Sequence, residues 1–262
     1  MNDQPLSGVG VLVTRPEHQS AELKYAIEAA GGQAFLFPAI SIEQRAIADI
    51  ESDLMALRDP DIVIFVSVNA VRYGLESVRD GQTTVAAIGP ATAEALEDAG
   101  VNVDIIPDGG FDSEQLLATE QLSKFSGTSI LIVRGTSGRE FLSETLRDRG
   151  ATVEYLSVYD RSRYEPARDD LANLEKSWRD GRINAVMVMS VASLHGLLEI
   201  LPAYCIGQLP ETRLVAPSAR VIQTGIEQIP GITAILSPEP GAVAMTGALI
   251  ANLQADSEID NG

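Results

Sequence analysis

Cysteine and histidine are scarce in this sequence. Its 262 residues include one cysteine, Cys205, and two histidines, His18 and His195. A single cysteine excludes an intramolecular disulfide, and these three residues lack the spacing pattern of metal ligands. We therefore expect no bound metal, and a free thiol of the kind found in a reducing compartment.

Long apolar runs are missing as well. No apolar stretch reaches the length of about 20 residues that a membrane-spanning helix needs. Residues 1–8 have neither the positive flank nor the apolar centre of a secretion signal. We expect a cytoplasmic protein.

Positive charge is the third deficit. The chain has 19 Lys and Arg against 37 Asp and Glu, a formal net charge of -18. This balance indicates a well-solvated surface, and it argues against nonspecific binding of nucleic acid, which needs basic patches. It does not exclude an anionic ligand in a locally favourable pocket.

Familiar catalytic and cofactor motifs are also absent. The first predicted strand is not followed by Gly-x-Gly-x-x-Gly, and there is no Walker phosphate loop. The nucleophile elbow Gly-x-Ser-x-Gly does not occur. We expect no organic cofactor, and a site built for binding a charged molecule with few obvious catalytic groups.

An internal repeat organises what is present. Residues 129–161 show the pattern of a buried strand, a helix ending near Gly150, and a strand that leaves the core and becomes exposed. The chain opens with the same pattern through residue 40, and Leu131 aligns with Val11, 120 positions earlier. Residues 61–67 likewise match residues 184–190. The repeat predicts two copies of a five-strand α/β unit.

Predicted strands alternate with predicted helices along the whole chain. This alternation is typical of parallel sheets covered on both faces by helices. The predicted strands are 9–14, 33–42, 61–67, 85–89, 103–106, 130–134, 152–159, 185–190, 213–216 and 232–236. The predicted helices are 17–30, 47–58, 69–79, 91–99, 114–122, 138–149, 168–179, 191–201, 219–226 and 243–253. Residues 255–262 are predicted to be disordered.

Small and hydroxylated residues follow the predicted strands, where open α/β sheets collect their ligands. Singly, such residues are explained by capping of the following helix. Together they favour a binding cleft for carboxylates or phosphates, because helix N-termini attract anions. The segments are 14–16, 67–69, 88–92, 107–113, 134–135, 190–193 and 217–218.

Several of these segments, taken in order, resemble the uroporphyrinogen-III synthases. The resemblance covers nearly the whole chain, although each motif alone is weak. The motifs are residues 11–16 (Val-Leu-Val-Thr-Arg-Pro), 64–71 (Ile-Phe-Val-Ser-Val-Asn-Ala-Val), 87–96 (Ala-Ile-Gly-Pro-Ala-Thr-Ala-Glu-Ala-Leu), 111–117 (Phe-Asp-Ser-Glu-Gln-Leu-Leu), 158–161 (Val-Tyr-Asp-Arg) and 218–220 (Ser-Ala-Arg).

The resemblance implies two α/β domains that face a cleft and are joined by two antiparallel strands. The discontinuous domain would be residues 1–37 plus 165–262, and the other domain residues 42–157. The connector strands would be residues 38–42 and 157–164. The repeat alone would instead divide the chain near Ser126; we adopt the division that the resemblance implies.

The activity implied by the resemblance is the cofactor-free cyclisation of hydroxymethylbilane, a linear tetrapyrrole with eight carboxylates. The product is uroporphyrinogen III, in which the last pyrrole ring is inverted. We expect a monomer with at most transient contact with the upstream bilane-forming enzyme. Two other classes stay open: a non-catalytic binding or regulatory protein for an anionic small molecule, and a sugar- or nucleotide-binding domain pair.

The resemblance also assigns candidate site residues. Tyr159 matches the tyrosine of the family's Val-Tyr pattern, where its phenol would assist loss of the hydroxyl group or the ring would only anchor the connector strand. Thr92 matches the family's Gly-x-x-Thr position, whereas the second copy has Ala219 after Ser218, which puts a symmetric hydroxyl role in doubt. The candidate substrate-binding residues are Arg15, Ser67, Gly89, Ala91, Thr92, Ser113, Arg134, Ser190 and Ser218.

Overall fold

The computed structural model describes residues 4–75, 83–110 and 112–260, with the backbone alone for 257–260. The chain divides into two compact units. Unit 1 combines Met1–Ser41 with Ser162–Gly262, and unit 2 is Ile42–Arg161. The boundaries fall inside strands β3 and β7, defined below.

The described residues form ten strands in two sheets. The strands are β1 (Gly10–Val13), β2 (Gln33–Leu36), β3 (Ile40–Gln44), β4 (Ile62–Phe65), β5 (Thr84–Ala87), β6 (Ser129–Gly135), β7 (Thr152–Arg163), β8 (Ala185–Met187), β9 (Arg213–Ala216) and β10 (Thr233–Leu236). The helices are α1 (Ala21–Ala29), α2 (Ile47–Ala56), α3 (Val68–Gly74), α4 (Pro90–Asp98), α5 (Ser113–Leu117), α6 (Phe141–Asp148), α7 (Arg168–Arg179), α8 (Val191–Ile200), α9 (Ala203–Gln208), α10 (Ala219–Gln228) and α11 (Ala242–Asp260).

The sheet of unit 1 has the order β10-β9-β8-β1-β2, with parallel neighbours throughout. Alternate residues of its central strands enter different cores. Leu12 and Val186 pack into the core on one face, and Val13 and Met187 into the core on the other. Helices therefore cover both faces, as they must for a buried parallel sheet.

The sheet of unit 2 has the order β3-β7-β6-β4-β5. The pairs β4–β5, β4–β6 and β6–β7 are parallel. Helix α3 packs closely on β6 and β7 at Gly74, where an added Cβ would lie 2.7 Å from a Val133 methyl and 3.0 Å from a Val158 methyl. The predicted α/β class with two parallel-sheet units is confirmed.

Several predicted elements differ in extent. The predicted strand 33–42 is two strands, β2 and β3, which belong to different sheets. Pro38 lies between them and has no N–H to continue a ladder. Of the predicted strand 103–106, only Ile105 pairs, through one bridge to Ala86. The predicted helix 114–122 is α5 followed by a 3-10 turn, Glu120–Leu122.

The prediction of a disordered tail is wrong, because α11 continues through Asp260. Met245 and Leu249 are buried in the core of unit 1, and Arg213 binds Asn252 and Asp256 at 3.0 and 2.7 Å. These contacts extend the helix beyond its apolar part. Residues 261–262, the end of the predicted helix 69–79 after residue 75, and the first residue of the 111–117 motif lie outside the described residues.

Candidate functional site

A β-bulge positions Tyr159 in unit 2. Arg134 of β6 pairs with Ser157 of β7, but the next residue, Gly135, pairs with Tyr159. The extra residue, Val158, breaks the alternation of the strand, so that both Val158 and Tyr159 are buried. The Tyr159 ring lies directly over Gly135, where an added Cβ would be 2.6 Å from the ring carbon Cε2.

The Tyr159 hydroxyl is hydrogen-bonded to Ser67. Their oxygens are 3.2 Å apart, and either can be the donor. Ser67 is also the N-cap of α3, since its Oγ accepts the Ala70 N–H at 3.0 Å. The phenol is thus tied to the start of a helix by one serine.

Tyr159 and Ser67 line a pocket of about 220 Å³ at the carboxyl ends of β4 and β6. Ser113 and Arg134 line the same pocket, so the structure brings together four of the ten candidate residues. The volume is below the range of roughly 300–1,000 Å³ of typical small-molecule sites. The pocket can hold one part of a large ligand.

Arg134 is held by internal partners. Its Nη1 donates to Glu140 at 2.9 Å and its Nε to the Gly135 carbonyl at 3.2 Å. Its guanidinium lies 4.7 Å from the centre of the Tyr155 ring, and the Tyr155 hydroxyl donates to Glu140. The hydrogen bond from Tyr155, followed by the one from Arg134, lowers the pKa of Glu140 below its ordinary value.

The candidates Gly89, Ala91 and Thr92 lie elsewhere in unit 2. Gly89 is the N-cap of α4, with an extended backbone followed by Pro90 in the first turn. Thr92 is only 4% exposed. These three residues do not line the pocket of Tyr159, and their contact with substrate stays a prediction.

The candidates Arg15, Ser190 and Ser218 belong to unit 1. The serine hydroxyls cap α8 and α10 by accepting backbone N–H groups at 3.1 and 3.4 Å. Arg15 donates to the Gln19 carbonyl at 3.4 Å, and burial lowers its pKa. Capping accounts for both serines in the structure, and a substrate role for all three residues stays a prediction.

Comparison with known proteins identifies the family to which this chain belongs. A family model described as uroporphyrinogen-III synthase HemD matches residues 21–229. The chain belongs to the uroporphyrinogen-III synthase family. The family resemblance inferred from the motifs is confirmed.

Individual relatives agree with this membership. The uroporphyrinogen-III synthase of Salmonella typhimurium is 30% identical over 214 residues, which span 75% of this chain and 81% of that protein. The Escherichia coli enzyme of the same name is 28% identical over 205 residues, 75% of this chain and 81% of that protein.

Solved structures of family members share the fold. A mutant uroporphyrinogen III synthase from Thermus thermophilus has a TM-score of 0.64 at 20% identity, and the match covers 94% of this chain and 99% of that chain. The Helicobacter pylori enzyme has a TM-score of 0.63 at 13% identity, and the match covers 93% and 99%. The predicted two-unit α/β architecture is that of the family.

Several residues of the Tyr159 pocket were not among the candidate residues. Ser137, Gly138, Arg139, Tyr155 and Arg161 also line it. Arg161 ends the Val-Tyr-Asp-Arg motif, and the other four flank Arg134 along β6, its loop and β7. The available signal was their position on or directly after β6 and on β7. Residues that follow one strand lie close to residues on the neighbouring strand at the same edge of a sheet.

Proposed function

We propose that this chain cyclises hydroxymethylbilane to uroporphyrinogen III and water, with inversion of the last pyrrole ring. Family membership supports the reaction, and one observation supports the site: a buried tyrosine, hydrogen-bonded to a helix-capping serine, at a pocket lined by arginines. This pocket combines a proton donor with cations that suit a polycarboxylate.

The proposed reaction starts with loss of the hydroxyl group. The C–O bond breaks with its electron pair on oxygen, and Tyr159 donates its proton so that water leaves. The remaining azafulvenium carbon is attacked by the last pyrrole at its already substituted position, which gives a spiro intermediate. Fragmentation and reclosure invert that ring, and loss of a ring proton restores the phenol.

Ser67 would orient the phenol in this step. Its Oγ accepts the Ala70 N–H, and its own hydrogen can then point to the Tyr159 oxygen 3.2 Å away. The Tyr159 proton is then directed at the pocket, where the leaving hydroxyl group would accept it. In the other steps the enzyme would act mainly by holding the flexible substrate in the conformation that brings the reacting carbon atoms together.

The domain organisation implied by the family is part of this proposal. Compact units of residues 1–41 plus 162–262 and of residues 42–161 support a discontinuous and a continuous domain. In the described residues no helix is long and apolar enough to cross a membrane. The monomeric state, the cytoplasmic location and any transient contact with the upstream enzyme stay predictions.

The product isomer tests the proposed activity. Purified protein given freshly generated hydroxymethylbilane should yield the type III isomer, because uncatalysed closure leaves the last ring unflipped and gives type I. The two isomers are separated by chromatography, with a heat-denatured sample as the control. Type I alone, together with measurable binding of the substrate, would favour the non-catalytic binding protein.

Metal removal should leave the activity unchanged. The sequence has no Cys/His cluster for a metal site, and the proposed proton transfer uses a phenol. We expect full type III formation after dialysis against a chelator, and only substoichiometric zinc or iron in the purified protein. Stoichiometric metal lost together with activity would contradict the proposal.

A further inference from the structure

We propose that the pocket beside Tyr159 binds the acetate and propionate carboxylates of a single pyrrole ring, and that Arg161 and the loop at residues 137–139 supply the donors. This inference rests on the proposed function for the identity of the ligand. It assigns Arg161 as the direct carboxylate ligand. Arg161 was not among the candidate residues predicted from the sequence.

The charge of its lining distinguishes this pocket from three other pockets in the described residues. Its lining contains Arg134, Arg139 and Arg161 and no acidic side chain. Another pocket of unit 2 combines one arginine with two acids. Two pockets of unit 1 are lined by two acidic side chains each and by no cation. In a chain of formal charge -18, this pocket is therefore the favourable place for a polyanion.

The three arginines differ in their partners. Arg134 is paired with Glu140 at 2.9 Å and Arg139 with Glu114 at 2.7 Å. Arg161 is exposed and forms no ion pair or side-chain hydrogen bond with any residue that the structure describes. It is thus the cation that a ligand can reach without displacing an internal carboxylate.

Backbone donors lie in the same wall. In the described part of the chain, the N–H groups of Ser137, Gly138 and Arg139 donate to no backbone or side-chain acceptor. All three residues line the pocket. Unpaired N–H groups beside a cation are the usual components of an anion site.

The Arg134 guanidinium packs against the backbone of this loop. An added Cβ on Gly138 would lie 2.5 Å from the Arg134 Nη2, so that the loop backbone rests on the guanidinium. Glu140, the Gly135 carbonyl and the Tyr155 ring hold the guanidinium in place. We therefore assign Arg134 as a positioning residue that sets the direction of the loop N–H groups.

The volume of the pocket limits which part of the substrate can bind in it. About 220 Å³ is too small for a tetrapyrrole and suits one substituted pyrrole ring. One cation and three N–H groups match the two carboxylates of such a ring, since a carboxylate accepts several hydrogen bonds.

The test uses a monopyrrole that carries one acetate and one propionate group, titrated into the full chain by calorimetry and by amide NMR. Arg161→Gln should weaken its binding by about threefold to tenfold, and Arg161→Lys should recover most of the loss. Arg163→Gln is the matched control: it removes the same charge two residues farther along β7, and should bind the probe as the wild type does. In the wild type, the amide signals of residues 137–139 should shift on titration.

Equal affinity of the wild type and Arg161→Gln would overturn the assignment, as would unshifted amide signals in the loop. Equal binding of succinate would overturn the pyrrole specificity. The isomer assay distinguishes a failure of this pocket assignment from a failure of the proposed function. Type III product with no effect of Arg161→Gln refutes only the pocket, whereas an effect on probe binding without type III product refutes the activity and leaves a carboxylate site.

Discussion

Replacing Tyr159 with Phe is expected to lower kcat by about 10- to 100-fold and to leave KM within about threefold of the wild-type value. The substitution removes the phenol proton and keeps the ring that packs over Gly135. Water or a substrate carboxylate can replace the phenol in part, which places the loss at or below the low end of the range for general acid catalysis. Initial rates and isomer ratios with fresh hydroxymethylbilane measure both quantities.

Thr92→Ala provides the contrast to Tyr159→Phe. If Thr92 contacts the substrate, its loss should raise KM with a smaller effect on kcat, because binding and transition-state contributions separate in this way. A Tyr159→Phe enzyme that turns over at the wild-type rate and gives clean type III product would show that Tyr159 is only an anchor. Catalysis would then depend on conformational control and backbone donors.

Gly135→Ala should reduce kcat about as much as Tyr159→Phe and should also destabilise the protein by about 1–3 kcal/mol. The new Cβ would lie 2.6 Å from the Tyr159 Cε2 and 2.9 Å from its Cζ. The ring has to move, and the hydrogen bond of its hydroxyl to Ser67 is lost with it. Turnover and thermal unfolding of the same preparation give the two effects.

A double mutant separates the two effects of Gly135→Ala. In the Tyr159→Phe background it should cost no further kcat, while the cost in stability remains. Gly207→Ala is the matched control, since an added Cβ there meets nothing within 4 Å. Additive losses in kcat would mean that Gly135 acts on catalysis through something other than the phenol.

Most of the fold could be predicted because it depends on local patterns. The apolar strands and the repeat between Val11 and Leu131 indicate the class without any knowledge of contacts. The break at Pro38 was harder to predict from the residue pattern, because apolar residues continue through Ile42. Only the family resemblance separated residues 1–37 from a connector strand at 38–42, and β2 and β3 do belong to different sheets. The end of α11 depends on Arg213, which binds Asp256 from 43 residues away.

The site was predicted less completely, for a related reason. Ser67 and Tyr159 were identified from strand ends and family motifs, and they lie in contact. Their contact depends on the β-bulge in β7, where one extra residue lies between the residues that pair with Arg134 and Gly135. The alternation of apolar and polar residues in the sequence does not indicate where this bulge occurs. Arg161 ends the Val-Tyr-Asp-Arg motif, but it was not chosen as a candidate because an exposed arginine on a strand does not by itself indicate a binding role. Its proposed role depends on the pocket, whose lining comes from four separate segments of the chain.

The pairing of β1 with β8 also sets the order in which the chain can fold during synthesis. Val11 to Val13 pair with Ala185 to Met187, whereas the five strands of the other sheet, β3 to β7, all lie in the continuous stretch 40–163. Unit 2 can therefore complete its sheet while β8, the second partner of β1, is still untranslated. Until then β1 and β2 carry an open edge that can pair with other nascent chains. At about 5–20 residues per second, this exposure lasts on the order of ten seconds or more, a period in which a chaperone would have its greatest effect on yield.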